Sequence, residues 1–198
     1  MNHSHLHQFH RNALFVSILL LVVFAFGCNK NNDDEVKDPT KLQTQKIKTT
    51  GLNKEEIDIN GDGKPDQFVY TKDNEIRYAQ RDFNFDQVID MTEFYNDDGD
   101  HVRDEIDLDY DGIVDLIITY KNDLPVKKEY SIDFEGNRHG VQIFDANGNR
   151  TEVRRDTNRD GKVDIIEHYN PGEGEPYKTE NVPNSIDLSK PQNTEDAK

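Results

Sequence analysis

The stretch DTNRDGKVDIIE runs from Asp156 to Glu167 and places oxygen-bearing side chains at its first, third, fifth and ninth positions: Asp156, Asn158, Asp160 and Asp164. Gly161 is sixth, Val163 eighth and Glu167 twelfth. In a tight loop the first, third and fifth side chains converge on one point, and a glycine at the sixth permits the sharp turn. The seventh residue, Lys162, contributes its backbone carbonyl. A hard cation that takes six to eight oxygens at about 2.3–2.6 Å fits this donor set, which is the coordination chemistry of calcium.

Three further stretches carry the same order. DINGDGKPD offers Asp58, Asn60, Asp62, the Lys64 carbonyl and Asp66. DFNFDQVID offers Asp82, Asn84, Asp86, the Val88 carbonyl and Asp90. DLDYDGIVD offers Asp107, Asp109, Asp111, the Ile113 carbonyl and Asp115. Gly63 and Gly112 hold the sixth position, where the second stretch has Gln87. The loops at 107–115 and 156–164 combine a sixth-position glycine with an apolar eighth residue and are expected to bind best. Glu93 and Glu167, at position twelve, are candidate bidentate ligands, but Val69 and Ile118 stand there in the other two loops. Successive loops start 24, 25 and 49 residues apart, a period near 25 with one member missing. The missing loop is expected near DFEGNRHGV, which keeps Asp133, Glu135 and Asn137 but has Val141 ninth, as a degenerate copy with lost or weak binding. A merely solvated acidic surface does not keep odd-position order around a turn glycine.

Between the loops the chain is short and rich in β-formers: DQFVYT, DMTEFYN, DLIITYKN and DIIEHYN, with Tyr70, Tyr95, Tyr120 and Tyr169 near their ends. Turn material follows in KDNE, NDDGD, KNDLP and NPGEG. No stretch after a loop has the period of an amphipathic helix, so the pattern reads strand, turn, strand, loop. The expected fold is mainly β, with tandem β-hairpin repeats of about 25 residues joined by calcium-binding loops. The tyrosines are expected to pack across strands.

The loop spacing resembles that of an EF-hand, but Pro171, Gly172 and Gly174 are poor material for its exiting helix. It also resembles the Asp-rich loops of thrombospondin type 3 and FG-GAP repeats, and those of dockerins without the helix that follows them. IFDANGNRTEVRRD resembles a YD repeat, the hairpin unit of RHS-type shells, and FYNDDGDHVRDEID echoes it. These resemblances imply calcium, and neither a single fold nor a biological role.

The N-terminus adds a location. Arg11 precedes an apolar run, ALFVSILLLVVFAFG, too short to span a bilayer as a helix, and the run ends at Cys28, the sole cysteine. AFGC resembles the lipobox of bacterial lipoproteins, which implies a signal peptide over 1–27 and a lipid on Cys28. Asn29 after the cysteine implies the outer membrane of the cell envelope. His3, His5, His7 and His10 fall in the segment to be removed. A flexible tether is expected over 28–51, the calcium-loop domain over 52–172 and a disordered tail over 173–198. Net charge is −16, and Arg11 is the one formal charge before residue 28. A mature chain this acidic repels nucleic acid. No nucleophile motif, phosphate loop or zinc spacing stands out, so a non-catalytic structural or interaction module is expected. Two alternatives stay open: an EF-hand-like calcium sensor or adhesion-associated protein, and a carbohydrate- or peptidoglycan-binding lipoprotein. The partners this implies are the membrane, through the lipid, and an envelope protein or glycan.

Overall fold

The computed structural model describes residue 38 and residues 40–187. The expected signal peptide, Cys28, the start of the expected tether and the last residues of the expected tail lie outside the described residues.

Eleven strands form one antiparallel sheet in which neighbours in sequence are neighbours in space. They are β1 (Asn53–Ile57), β2 (Gln67–Lys72), β3 (Glu75–Arg81), β4 (Met91–Tyr95), β5 (His101–Ile106) and β6 (Leu116–Lys121). They continue with β7 (Leu124–Tyr130), β8 (Gly140–Phe144), β9 (Arg150–Arg155), β10 (Lys162–His168) and β11 (Lys178–Asp187). In such a meander the connections fall alternately at the two ends of the strands. One end carries the tight turns. Asp73–Asn74 and Asn122–Asp123 have positive φ at both residues, the geometry that Asn and Asp tolerate in a two-residue hairpin. Asn96–Asp100 and Asp145–Asn149 close five-residue turns, with Gly99 and Gly148 at positive φ. The other end carries every acidic loop.

The chain is poor in core material, and the sheet is held along its length by small contacts. Val141, Val163 and Ile166 form an apolar cluster, with Ile143 and Val182 against it. Tyr70, Tyr78 and Phe94 meet edge to face across β2, β3 and β4, with centroids 6.4 and 5.6 Å apart. Arg81–Glu93 at 2.7 Å and Arg155–Glu167 at 2.8 Å tie adjacent strands. The edge strand β1 is charged and exposed, with Lys54, Glu55 and Glu56, which discourages pairing with a second sheet.

Regular contacts extend beyond the expected domain at both of its ends. The tail expected to be disordered from residue 173 instead supplies β11, paired with β10 from Lys162↔Asp187 to His168↔Lys178. Its polar residues and Pro183 read as disorder because an edge strand needs hydrogen-bond partners on one side only. At the other end, Thr40–Gln45 is no free tether. Leu42 is buried, its N–H donates to the Gly136 carbonyl at 2.8 Å, and the Arg138 N–H donates to the Thr40 carbonyl at 2.7 Å. The segment then crosses to β5, where the Gln45 N–H donates to Glu105 and Arg103 donates to the Gln43 carbonyl.

Candidate metal centres

The loops join β1 to β2, β3 to β4, β5 to β6, β7 to β8 and β9 to β10. All five share one backbone path. The fourth residue has positive φ in each, at Gly61, Phe85, Tyr110, Phe134 and Arg159, and so does the sixth, at Gly63, Gln87, Gly112, Gly136 and Gly161. Four loops also share one ring of hydrogen bonds. The sixth N–H donates to the first carboxylate: Gly63 to Asp58, Gln87 to Asp82, Gly112 to Asp107 and Gly161 to Asp156, at 2.6–2.8 Å. The seventh N–H donates to the fifth: Lys64 to Asp62, Val88 to Asp86, Ile113 to Asp111 and Lys162 to Asp160, at 2.7–3.0 Å. The ninth carboxylate reaches back to the second N–H: Asp66 to Ile59, Asp90 to Phe83, Asp115 to Leu108 and Asp164 to Thr157. Asn60, Asn84 and Asn158 accept from the fifth N–H. The backbone thus fixes the carboxylates from outside.

These carboxylates are buried to an unusual degree. Asp66, Asp82, Asp90, Asp107, Asp115 and Asp156 are each at most 3 % exposed. One oxygen of Asp90 and one of Asp115 are buried with no hydrogen-bond partner. Burial, joined by the charges of Asp82 and Asp107, pushes the Asp90 carboxyl above its ordinary range. Burial does the same to Asp115, with Asp109, Asp107 and Asp111 adding to it. Asp107, Asp109 and Asp115 present oxygens that all lie within 4.8 Å of one another. Such a triplet can hold a metal ion. The loop expected to be its equal in affinity differs: both Thr157 groups, hydroxyl and N–H, satisfy Asp164, and the hydroxyl foremost holds it below the ordinary range.

Position twelve lies on the strands. Glu93 stands on β4 opposite Ala79 and Asp104, and Glu167 on β10 opposite Val153. Arg81 engages the first, while Arg155 and the Tyr169 hydroxyl engage the second. Glu93 does share a second grouping, with His101 and Asp104, that sequence spacing did not reveal. His101 Nε2 lies 2.6 Å from Asp104, whose other oxygen accepts from the Tyr120 hydroxyl at 2.7 Å, and the imidazole stacks on Tyr120 with Tyr95 beside it. These groups satisfy one another across strands.

The degenerate loop starts two residues earlier than expected. The Ser131 N–H donates to the Asp115 carbonyl and the His139 N–H to Tyr130, as Asp107 donates to Asp90 and Asp115 to Ile106. Position one is therefore Ser131 and position nine His139. Asp133 is third, where it accepts from Ser131, Glu135 and Asn137 and faces His139 at 3.4 Å. Burial opposes its ionisation, but these hydrogen bonds and His139 prevail and hold its pKa at about 2. Lys41 donates to the Glu135 carbonyl at 2.7 Å, and buried Arg138 pairs with Glu129 at 3.1 Å.

No family model matches the chain, and no curated protein does. Among solved structures, it is similar to part of accessory secretory protein 1, 2 and 3 of Streptococcus pneumoniae, at 11 % identity over 62 % of this chain and 23 % of that one, with a TM-score of 0.40. A TarM mutant of S. aureus in complex with Fondaparinux, alpha-GlcNAc-glycerol and UDP shows 13 % identity over 56 % of this chain and 21 % of that one, again at 0.40. The chain spans about a quarter of the length of these larger proteins.

Proposed function

We propose that this is a lipid-anchored, calcium-binding repeat protein of the bacterial cell envelope, a non-catalytic structural or interaction module with calcium as its staple. The observation that carries the calcium reading is the pair of buried, unpartnered oxygens on Asp90 and Asp115, each at position nine of a loop whose other carboxylates are held in place by backbone N–H groups. An orphaned anionic oxygen of this kind costs stability until a cation meets it. Calcium suits it better than softer metals because every donor in the loops is oxygen. Extracellular modules of this type work at about 10⁻⁴–10⁻³ M calcium. Calorimetry of the full chain tests this: heat of binding is expected at millimolar calcium, and its absence removes the reading.

The envelope location rests on the apolar run ending at the sole cysteine. A palmitate analogue is expected to label the wild type and not Cys28→Ser. Equal labelling of both would show that Cys28 carries no lipid.

A further inference from the structure

The loops differ in what they pass to one another. We propose that loops 58–66, 82–90 and 107–115 take up calcium as one coupled block, that loop 131–139 is closed by the chain's own side chains, and that loop 156–164 binds separately. The proposal rests on the calcium reading and adds the order within it.

Coupling runs through the ligands themselves. The Asp82 N–H donates to the Asp66 carbonyl at 2.8 Å, and the Asp107 N–H to the Asp90 carbonyl at 2.8 Å. Each bond joins the last carboxylate residue of one loop to the first of the next. Whatever fixes Asp90 thus fixes the backbone from which Asp107 projects. A second link comes from position seven, whose carbonyl is a candidate ligand. The Val88 side chain lies over the next loop, with Cγ1 3.7 Å from where a β-carbon on Gly112 would stand. Calcium charge acts in the opposite sense, since loading one loop weakens the field that draws a cation to the next. Successive loops are two strand spacings apart, roughly 10 Å. That is close to the Debye length of about 8 Å at physiological salt, so screening weakens this opposition without removing it, and the direction of the midpoint shifts shows which effect is the larger.

The fourth loop keeps the junctions, with Ser131 N–H on Asp115 and Asp156 N–H on His139. Its hydroxyl, amide and carboxylate are already matched without metal, Lys41 brings its ammonium to the Glu135 carbonyl, and Arg138 is paired with Glu129 of β7. The chain's own Thr40 also takes over the packing role at the following glycine, with its methyl 2.9 Å from the β-carbon position of Gly161. An element whose conformation does not change with calcium cannot pass calcium's effect onward.

The sixth-position amides report each loop separately, because each donates to its own first carboxylate. A calcium titration of the full chain followed by amide NMR therefore tests the proposal. Asp111→Asn, an isosteric change at an exposed residue, is expected to raise the midpoint at Gln87 by about threefold or more and leave that at Gly161 unmoved. Asp86→Asn tests the same block from its middle and is expected to shift both Gly63 and Gly112. Asp160→Asn is expected to silence Gly161 alone. If no amide responds to millimolar calcium, the calcium reading itself fails. If all four respond with midpoints indifferent to the others' variants, calcium binding stands and the coupling is overturned. If Asp111→Asn moves Gly161, the fourth loop transmits and the division is overturned.

Discussion

Loops 107–115 and 131–139 have the same backbone and opposite chemistry. Both put their fourth and sixth residues at positive φ, and both hang from their neighbours by the same N–H to carbonyl bonds. In the first, Asp107, Asp109 and Asp115 crowd their oxygens within 4.8 Å, and one oxygen of Asp115 is left without a partner. In the second, a serine and a histidine replace the outer two aspartates, and the remaining Asp133 is surrounded by donors. The loop path itself therefore needs no metal. What sets the acidic loops apart is the unopposed charge placed on it.

Chelation should expose that contrast most strongly. A site held at a hundredfold excess over its dissociation constant adds about 2.7 kcal/mol of stability. Removing calcium is expected to lower the melting midpoint by about 10 °C or more, measured by circular dichroism. An unchanged midpoint would mean that the acidic loops are as self-sufficient as the fourth, and the contrast would vanish. Arg138→Ala probes the other side. It takes a buried cation from Glu129, which keeps Lys127 at 2.8 Å as a second partner. The expected loss is about 2–3 kcal/mol. It should be the same in calcium and in chelator, and a loss seen only in calcium would make the fourth loop a metal site.

Asp115→Asn is the sharper tool, because its effect should change sign. With calcium present it removes a ligand and should cost about 2 kcal/mol in denaturant titrations. In chelator it removes an unmatched buried charge and should leave stability unchanged or raised. A loss of equal size in both conditions would count against a metal at that loop. The smallest signal is in the carboxyl titrations of the calcium-free protein, read by carbon NMR. Asp133 should titrate at about 2 and Asp115 above the ordinary aspartate range. Asp133 binds its proton less tightly folded than unfolded, so it stabilises the fold above about pH 4 and loses that contribution as pH falls through about 2. Asp115 has the reverse sign: its contribution is present in acid and is lost as pH rises past its raised pKa. Two carboxyls titrating together would erase the distinction.

Much of this was legible in the residues. Odd-position aspartates around a glycine gave the loops, and β-branched and aromatic runs between Asn/Asp turns gave the hairpins, because both signals are local. For the fourth loop, acidity points to a start at Asp133, whereas the period points two residues earlier. Loops one and three start 49 residues apart, as do three and five, and the same step from Asp82 lands on Ser131. The tight turns follow that longer step too, from Asp73–Asn74 to Asn122–Asp123. What could not be read locally was the docking of Thr40–Gln45. Its partners Gly136, Arg138, Arg103 and Glu105 lie far along the chain, and a polar segment without periodicity gives no sign of them. β11 is hard to read for a related reason, since among the described residues it has a pairing strand, β10, on one side only.

That docked segment has a mechanical consequence. Among the described residues, every strand of the sheet pairs only with its sequence neighbours, so a pull on a terminal strand would peel it away one hairpin at a time. A pull from the N-terminal side of residue 40 is not delivered to β1. It arrives first at Thr40 and Leu42, where it loads the backbone bonds to Arg138 and Gly136 in the loop between β7 and β8. Those bonds must yield before the slack up to Asn53 is drawn out and β1 feels any force. Traction along the chain is thus taken up by a sacrificial clasp, and the peeling edge is spared until the clasp opens.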